Sequence, residues 1–349
     1  MSFSVSTEGN DAIISAREDS ARMLGFKGII DIHTHPFTEE VVKGQGVSFQ
    51  EAHDFFGSRP EAPHHESWYK NKRTMSIETS AEQIRIGGYV QAAVVLNMNA
   101  CCTWGSSLPN EYIAQYCEKV PDLYIGYAGI DPNMPVKNSL RELDRCVNDL
   151  KVSGLKFHPA YQDFWPNDKE KLYPIYERCV EYDLPILFHT GSTRMTQCHI
   201  RSCKPEYIDE VATDFPDLRI IMSHFGWPWT EEALAVMWRH EHVYCDLSGW
   251  LPKHIYDTQP IVFQYMNSTL PEKFVYGSDY PAISPKIWID QFAQYIENGF
   301  QWGGKTKYFR EENLERFFRL NAIDALNLRK FRPELVDAAK FEMFEVTDA

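Results

Sequence analysis

The chain lacks any surplus of positive charge: 35 lysines and arginines stand against 49 aspartates and glutamates, a formal net charge of −14. A nucleic-acid partner is therefore not expected, because binding a phosphate backbone needs a basic patch. No stretch approaches the roughly 18 consecutive apolar residues of a membrane span. The opening MSFSVSTEGNDAIISARE has neither a basic start nor an apolar core, which predicts no secretion signal. Eight cysteines occur, but none pair as CxxC, and the adjacent Cys101 and Cys102 suit no ordinary bridge. Reduced thiols in a cytoplasmic setting are the expectation. Cys198 and Cys203, like the adjacent pair, have no neighbouring base that would make a nucleophile. GGKTK near residue 303 lacks the strand and spacing of a phosphate loop and reads as a plain loop.

What is present is an ordinary globular balance, 44% hydrophobic and 24% charged over 349 residues. Eight short apolar runs rich in β-branched and aromatic residues read as strands: 25–33, 90–97, 123–130, 154–158, 184–189, 218–224, 242–248 and 273–279. Most follow at intervals of about 25 to 35 residues, the length of a strand, a helix and two short loops. SLRELDRCVNDL, DKEKLYPIYERCVEY and PEYIDEVATDF between them space apolar residues three or four apart, and Pro135, Pro174 and Pro205 stand near helix starts. The pattern predicts an α/β fold, a single (β/α)8 TIM-barrel domain over 1–349. Residues 37–80 read as an insertion, or lid, after the first strand, and 300–349 as a C-terminal helical extension with a tail.

Chemistry concentrates at strand ends. In DIHTHP, residues two apart on an extended chain point the same way, so His33 and His35 converge, a pairing that suits a divalent metal. LPILFHT, LRIIMSH and KFVYGSD end their runs in His189, His224 and Asp279. In such a barrel the C-terminal strand ends form the active face, so these groups become neighbours there. Core packing favours branched aliphatics and gives no reason for polar groups at several strand ends.

DIHTHP, GLKFHP, LPILFHTGS, FPDLRIIMSHFG, VYCDLSG and FVYGSDYP, in this order, resemble the amidohydrolase superfamily of metal-dependent hydrolases. Within it they resemble the branch of aminocarboxymuconate-semialdehyde decarboxylase and the resorcylate decarboxylases. The resemblance implies His33, His35, His189 and Asp279 as metal ligands and His224 as the acid/base histidine. Metal-bound water then titrates near neutrality, with Asp279 as a further proton acceptor. GLKFHP also resembles the lysine-bearing strand of urease, so Lys156, His158 and His224 are candidates for a second metal, with one metal favoured. The implied cofactor is zinc first, manganese or iron otherwise, one or two per chain.

Arg194, Arg201 and Trp227 are candidates for holding a small, carboxylate-bearing substrate, the arginines by bidentate contacts. His53, His64 and His65 read as a solvated loop. Hydrolysis of a C–N or C–O bond of a small organic acid leads the functional readings. Nonoxidative decarboxylation, oxygenation at a dinuclear iron or manganese site, and a supporting role in a hetero-oligomer follow. The expected assembly is a homodimer or a hetero-oligomer with a related barrel.

Overall fold

The computed structural model describes residues 23–36, 75–105, 108–193, 195 and 197–346. His53, His64, His65, Arg194 and the 37–74 part of the expected insertion lie outside the described residues. The eight expected barrel strands form in order: β2 Ile29–Thr34, β3 Val90–Leu96, β4 Tyr124–Gly129, β5 Gly154–Phe157, β6 Ile186–Phe188, β7 Ile220–Met222, β8 Val243–Asp246 and β9 Phe274–Val275. Each pairs in parallel with the next. The last meets the first through Ile32 N–H to Tyr276 O at 3.0 Å, Asp279 N–H to His33 O at 2.9 Å and His35 N–H to Tyr280 O at 2.7 Å. The sheet thereby closes into the (β/α)8 barrel, and closure itself sets Asp279 beside His33.

Alternation along the strands explains the two-layered core. On β4 Ile125 and Tyr127 fill the barrel interior while Tyr124 and Ala128 pack outward; on β6 Leu187 points in while Ile186 and Phe188 meet the helices. On β2 Ile30 and Ile32 belong to the interior cluster, so strict alternation would turn His33 outward. A register shift between Asp31 and Thr34 intervenes, and the paired histidines still converge.

The helices follow the amphipathic segments. Val136–Asn148, Tyr173–Tyr182 and Pro205–Asp214 form where the spacing predicts them, with Pro135, Pro174 and Pro205 at their starts. The region expected as insertion ends earlier than residue 80, because Ile77–Ile84 is the helix that leads into β3. Ser76 caps it by accepting the Thr79 N–H, and Ile77, Ala81 and Ile84 are buried.

Beyond β9 the chain departs from a loop, helices and free tail. GFQWGGKTK is a hairpin, β10 Phe300–Trp302 with β11 Lys305–Lys307, turning at Gly303 and Gly304, whose φ of 58° and 73° suit a two-residue turn. Near the C-terminus β12, Glu342–Val346, pairs antiparallel with β1, Met23–Lys27. Between them Ala322, Ile323, Ala325, Leu326 and Leu328 join the interior cluster and plug the N-terminal mouth of the barrel. The plug is tied down by polar groups at strand starts: Arg332 reaches Tyr124 O and Asn327 reaches Asp183 O. With that mouth sealed, the opposite one is left for chemistry.

Buried Arg319 donates to Gly28 O, Gln91 Oε1, Leu335 O and Val336 O at 2.6–3.0 Å, joining the start of β2 to the plug. Arg319→Ala should cost about 3 kcal/mol or more, because two buried and two half-buried acceptors lose a charged donor. Urea unfolding of the two proteins measures this, and a loss below about 1 kcal/mol would show the plug is held otherwise.

Candidate metal centre

His33 is fully buried, and its Nδ1–H donates to Asp246 Oδ2 at 2.9 Å. That bond leaves Nε2 as a bare acceptor. Burial, reinforced by the Lys156 charge, pushes the His33 pKa down to about 3, so the ring is neutral at pH 7. Its Nε2 lies 3.1 Å from His35 Nε2 and 3.5 Å from Asp279 Oδ1, and His35 Nε2 lies 3.3 Å from the same oxygen. Burial would raise the Asp279 pKa, but the hydrogen bond from His35 and the nearby histidines outweigh it and hold it near 2. Separations of 3.1 to 3.5 Å are the edges of a polyhedron whose centre stands about 2.1 Å from each donor, the usual bond length from a divalent ion to nitrogen or oxygen. The three residues therefore fit a metal. His35 and Asp279 are the partly exposed members, so the open side of the set faces the barrel mouth.

His189 stands in a neighbouring group. Its ring stacks on His158 at 3.7 Å and meets His224 edge-on at 4.8 Å, and its Nε2 is buried with no hydrogen-bond partner among the described residues. A buried orphan nitrogen is what a ligand looks like before its ion arrives. The donor atoms of His189, His158 and Cys203 lie within 4.8 Å of one another, and those of His33, His35 and Asp279 form a second such set.

His224 occupies a left-handed backbone, φ 59° and ψ 31°. Its N–H reaches Asp246 Oδ1 at 2.9 Å, and Nδ1 lies 2.9 Å from Ser248 O and 2.9 Å from Ser248 Oγ. With Nδ1–H donated to Ser248, Nε2 is left as the ring's acceptor nitrogen. Its ring centroid is 5.1 Å from that of His33. Gly249 makes room, since a Cβ there would lie 2.9 Å from His224 Nδ1 and 3.3 Å from Asp279 Oδ2.

Lys156 is buried, with Nζ 3.5 Å from Ser223 Oγ; burial lowers its pKa to about 8 against the pull of Asp246 and Asp279. His158 lies sandwiched between Tyr161, at 3.6 Å and 8°, and His189. Tyr161 N–H points at His158 Nδ1 from 3.3 Å, a bond that puts the ring proton on Nε2 and makes that nitrogen a donor. Arg201 is the exposed residue of the turn Ile200–Cys203, its guanidinium 5.5 Å above the Trp165 ring. Among the described residues that is its contact, rather than one with the metal set. Trp227 packs on Trp250 at 4.7 Å, and its carbonyl accepts Ser192 N–H at 2.7 Å, joining the loops after β6 and β7.

Sequence reasoning passed over Asp246, which ties the centre together. It takes His33 Nδ1–H, His224 N–H, and both the N–H and Oγ–H of Ser248. Burial opposes its charge, but the His33 interactions and these bonds hold its pKa well below the carboxylate range. The signal was present: VYCDLSG ends β8 in an acid, as KFVYGSD does after β9.

The structure thus sets this donor set at the C-terminal mouth of a (β/α)8 barrel. The chain belongs to the amidohydrolase family, whose model matches residues 30–328. It is 29% identical over 140 residues to 2-keto-4-carboxy-3-hexenedioate hydratase of Sphingobium sp. strain SYK-6. That match covers 34% of this chain and only 39% of the relative's length. An uncharacterized TIM-barrel protein from Bordetella bronchiseptica superposes with a TM-score of 0.66 at 21% identity, over 86% of this chain and 98% of that one. A 5-carboxyvanillate decarboxylase from Novosphingobium aromaticivorans, complexed with manganese and 4-hydroxy-3-methoxy-5-nitrobenzoic acid, gives 0.61 at 15%, over 86% and 96%. At these identities the structural likeness speaks for the fold.

Asp246→Asn should weaken metal retention about 10- to 100-fold, because an amide that turns its N–H₂ toward His33 cannot fix the tautomer that bares Nε2. Equilibrium dialysis against a metal buffer reads this directly. Unchanged affinity would remove Asp246 from its role.

Proposed function

We propose that this enzyme decarboxylates a small unsaturated or aromatic carboxylic acid without an oxidant. The observation that carries the reading is His224: a ring whose Nδ1–H is tied to Ser248, leaving one exchangeable position, Nε2, beside the His33/His35/Asp279 donor set. His33, His35 and Asp279, joined by His189 through its orphan nitrogen, would hold the ion. Two to three imidazoles and a carboxylate suit zinc or manganese, and the manganese reported with the Novosphingobium decarboxylase supports the latter. A divalent ion there supplies positive charge that gathers the substrate's oxygens and steadies the charge left behind.

The chain's own groups do the rest. Lys156 adds a buried ammonium that counters an anionic substrate, and His158 offers its Nε2–H as a donor to a substrate oxygen. His224 delivers the proton from Nε2 to the carbon that loses carbon dioxide: the C–C bond breaks, a C–H bond forms, and no electrons are exchanged with a third party. The ring is reprotonated from solvent.

Hydrolysis of a C–N or C–O bond is the second reading, and the charged state of Asp279 favours it. A carboxylate held near pKa 2 stays ionised at neutral pH and would accept a hydrogen bond from an attacking water, orienting it at the donor set. A donor role for His158 Nε2 speaks for one metal rather than a second one on Lys156, His158 and His224. All eight cysteines are free, in keeping with a reducing cytoplasm, where the protein would work as a homodimer or beside a related barrel.

The test is turnover of aromatic and unsaturated carboxylic acids by the metal-loaded protein under anaerobic conditions in deuterated water. Decarboxylation predicts one carbon dioxide per product and one deuterium on the product carbon. Incorporation of labelled water oxygen without carbon dioxide establishes hydrolysis instead. His224→Gln should keep its metal yet lose roughly 10²- to 10⁴-fold in turnover; a variant that turns over normally refutes the assigned shuttle.

A further inference from the structure

On the rim of the same mouth, away from the donor set above, the loop after β3 carries the adjacent thiols Cys101 and Cys102, and the loop after β4 carries Asp131. The two sulfurs lie 3.9 Å apart, and Cys101 Sγ is 3.5 Å from Asp131 Oδ2. One donor atom from each residue falls within 4.8 Å of the other two. Around a tetrahedral zinc, with bonds of about 2.3 Å to sulfur and about 2.0 Å to oxygen, the edges are about 3.8 Å between sulfurs and about 3.5 Å between sulfur and oxygen. We propose that Cys101, Cys102 and Asp131 form a second, separate site for a thiophilic divalent cation of the zinc and cadmium class, with the fourth position left to solvent.

The carboxylate is prepared for this. Asp131 is 1% exposed, and it is aimed by Cys102 N–H on Oδ2 at 2.8 Å and Asn133 N–H on Oδ1 at 2.9 Å. Oδ2 keeps a lone pair for the Cys101 thiol, and a cation would take that donor's place. The thiols remain reachable: Cys101 is half-buried, Cys102 is exposed, and Cys101 and Asp131 line a cleft of about 360 Å³ together with Asn99, Met134 and Arg141. Binding replaces two S–H bonds by two metal–sulfur bonds and releases two protons to solvent; nothing is oxidised. Burial and the Asp131 charge push the Cys101 pKa up to about 12, so uptake strengthens as pH rises. A disulfide is a poor alternative, since neighbouring Cα atoms are about 3.8 Å apart and bridges usually span about 4.4 to 6.8 Å.

The ion would also brace the mouth. Thr103 Oγ1 donates to Tyr161 O at 2.6 Å, and Trp104 stacks on Tyr161 at 4.9 Å, so the short helix Cys101–Trp104 bears on the ring column that holds His158.

The experiment adds cadmium ion to the holoprotein and follows thiolate-to-cadmium charge-transfer absorption together with cadmium bound per chain. The expected result is one equivalent carrying thiolate absorption, lost in Cys101→Ser/Cys102→Ser, kept in Cys203→Ser, and weakened at least about tenfold in Asp131→Asn, the loss that even an outer partner causes. Absorption that persists undiminished in the double variant, or that disappears only with Cys203, overturns the proposal, as does a wild-type protein that takes up no thiolate-bound cadmium. Should the double variant fold poorly, Cys102→Ser alone must reduce both absorption and affinity, and an unchanged response again overturns it.

Discussion

Two ring nitrogens and a carboxylate oxygen, none of them able to satisfy the others fully, are held within 3.1 to 3.5 Å of one another at the open end of the barrel. His33 has spent its only ring proton on Asp246, and Asp279 is held charged. A single proton on His35 Nε2 serves Asp279 or His33 but not both fully, so lone pairs remain that a cation would satisfy. The fold maintains this arrangement by covalent and hydrogen-bonded constraint, at a spacing that fits a divalent ion.

Three features supply the constraint. Closure of β9 against β2 brings Asp279 to His33 across some 250 residues of chain, and the backbone bond from Asp279 N–H to His33 O fixes their spacing. Asp246 joins His33, His224 and Ser248 through one buried carboxylate, so the two histidines cannot shift independently. His224 and Asp279 both accept left-handed backbones, with φ of 59° and 65°, a local strain that persists only where surrounding bonds overrule it. The opposite mouth is plugged by the helices around Ala322–Leu328, so the barrel has one functional end.

The barrel was legible because its signals repeat: eight apolar runs at regular intervals each found a strand, and polar residues ending several of them marked the active face. His33, His35, His224 and Asp279 were visible for the same reason. Other features had no one-dimensional trace. The register shift at Asp31–Thr34, beside His33, depends on pairing with β3. Asp246 was hidden because an acid in CDLS reads like any strand end until His33 is seen against it. The pairing of β12 with β1 joins the two ends of the described chain, which no local pattern announces. Arg201 looked like a substrate clamp by position, but Trp165 takes its guanidinium face.

The central claim concerns where an ion sits, so the most direct measurement is anomalous diffraction at the manganese or zinc edge from crystals of the metal-loaded protein. The account predicts an anomalous peak bonded at about 2.1 Å to His33 Nε2, His35 Nε2 and an Asp279 oxygen. A fully loaded crystal whose anomalous peak lies elsewhere, with those three side chains turned apart, would contradict it.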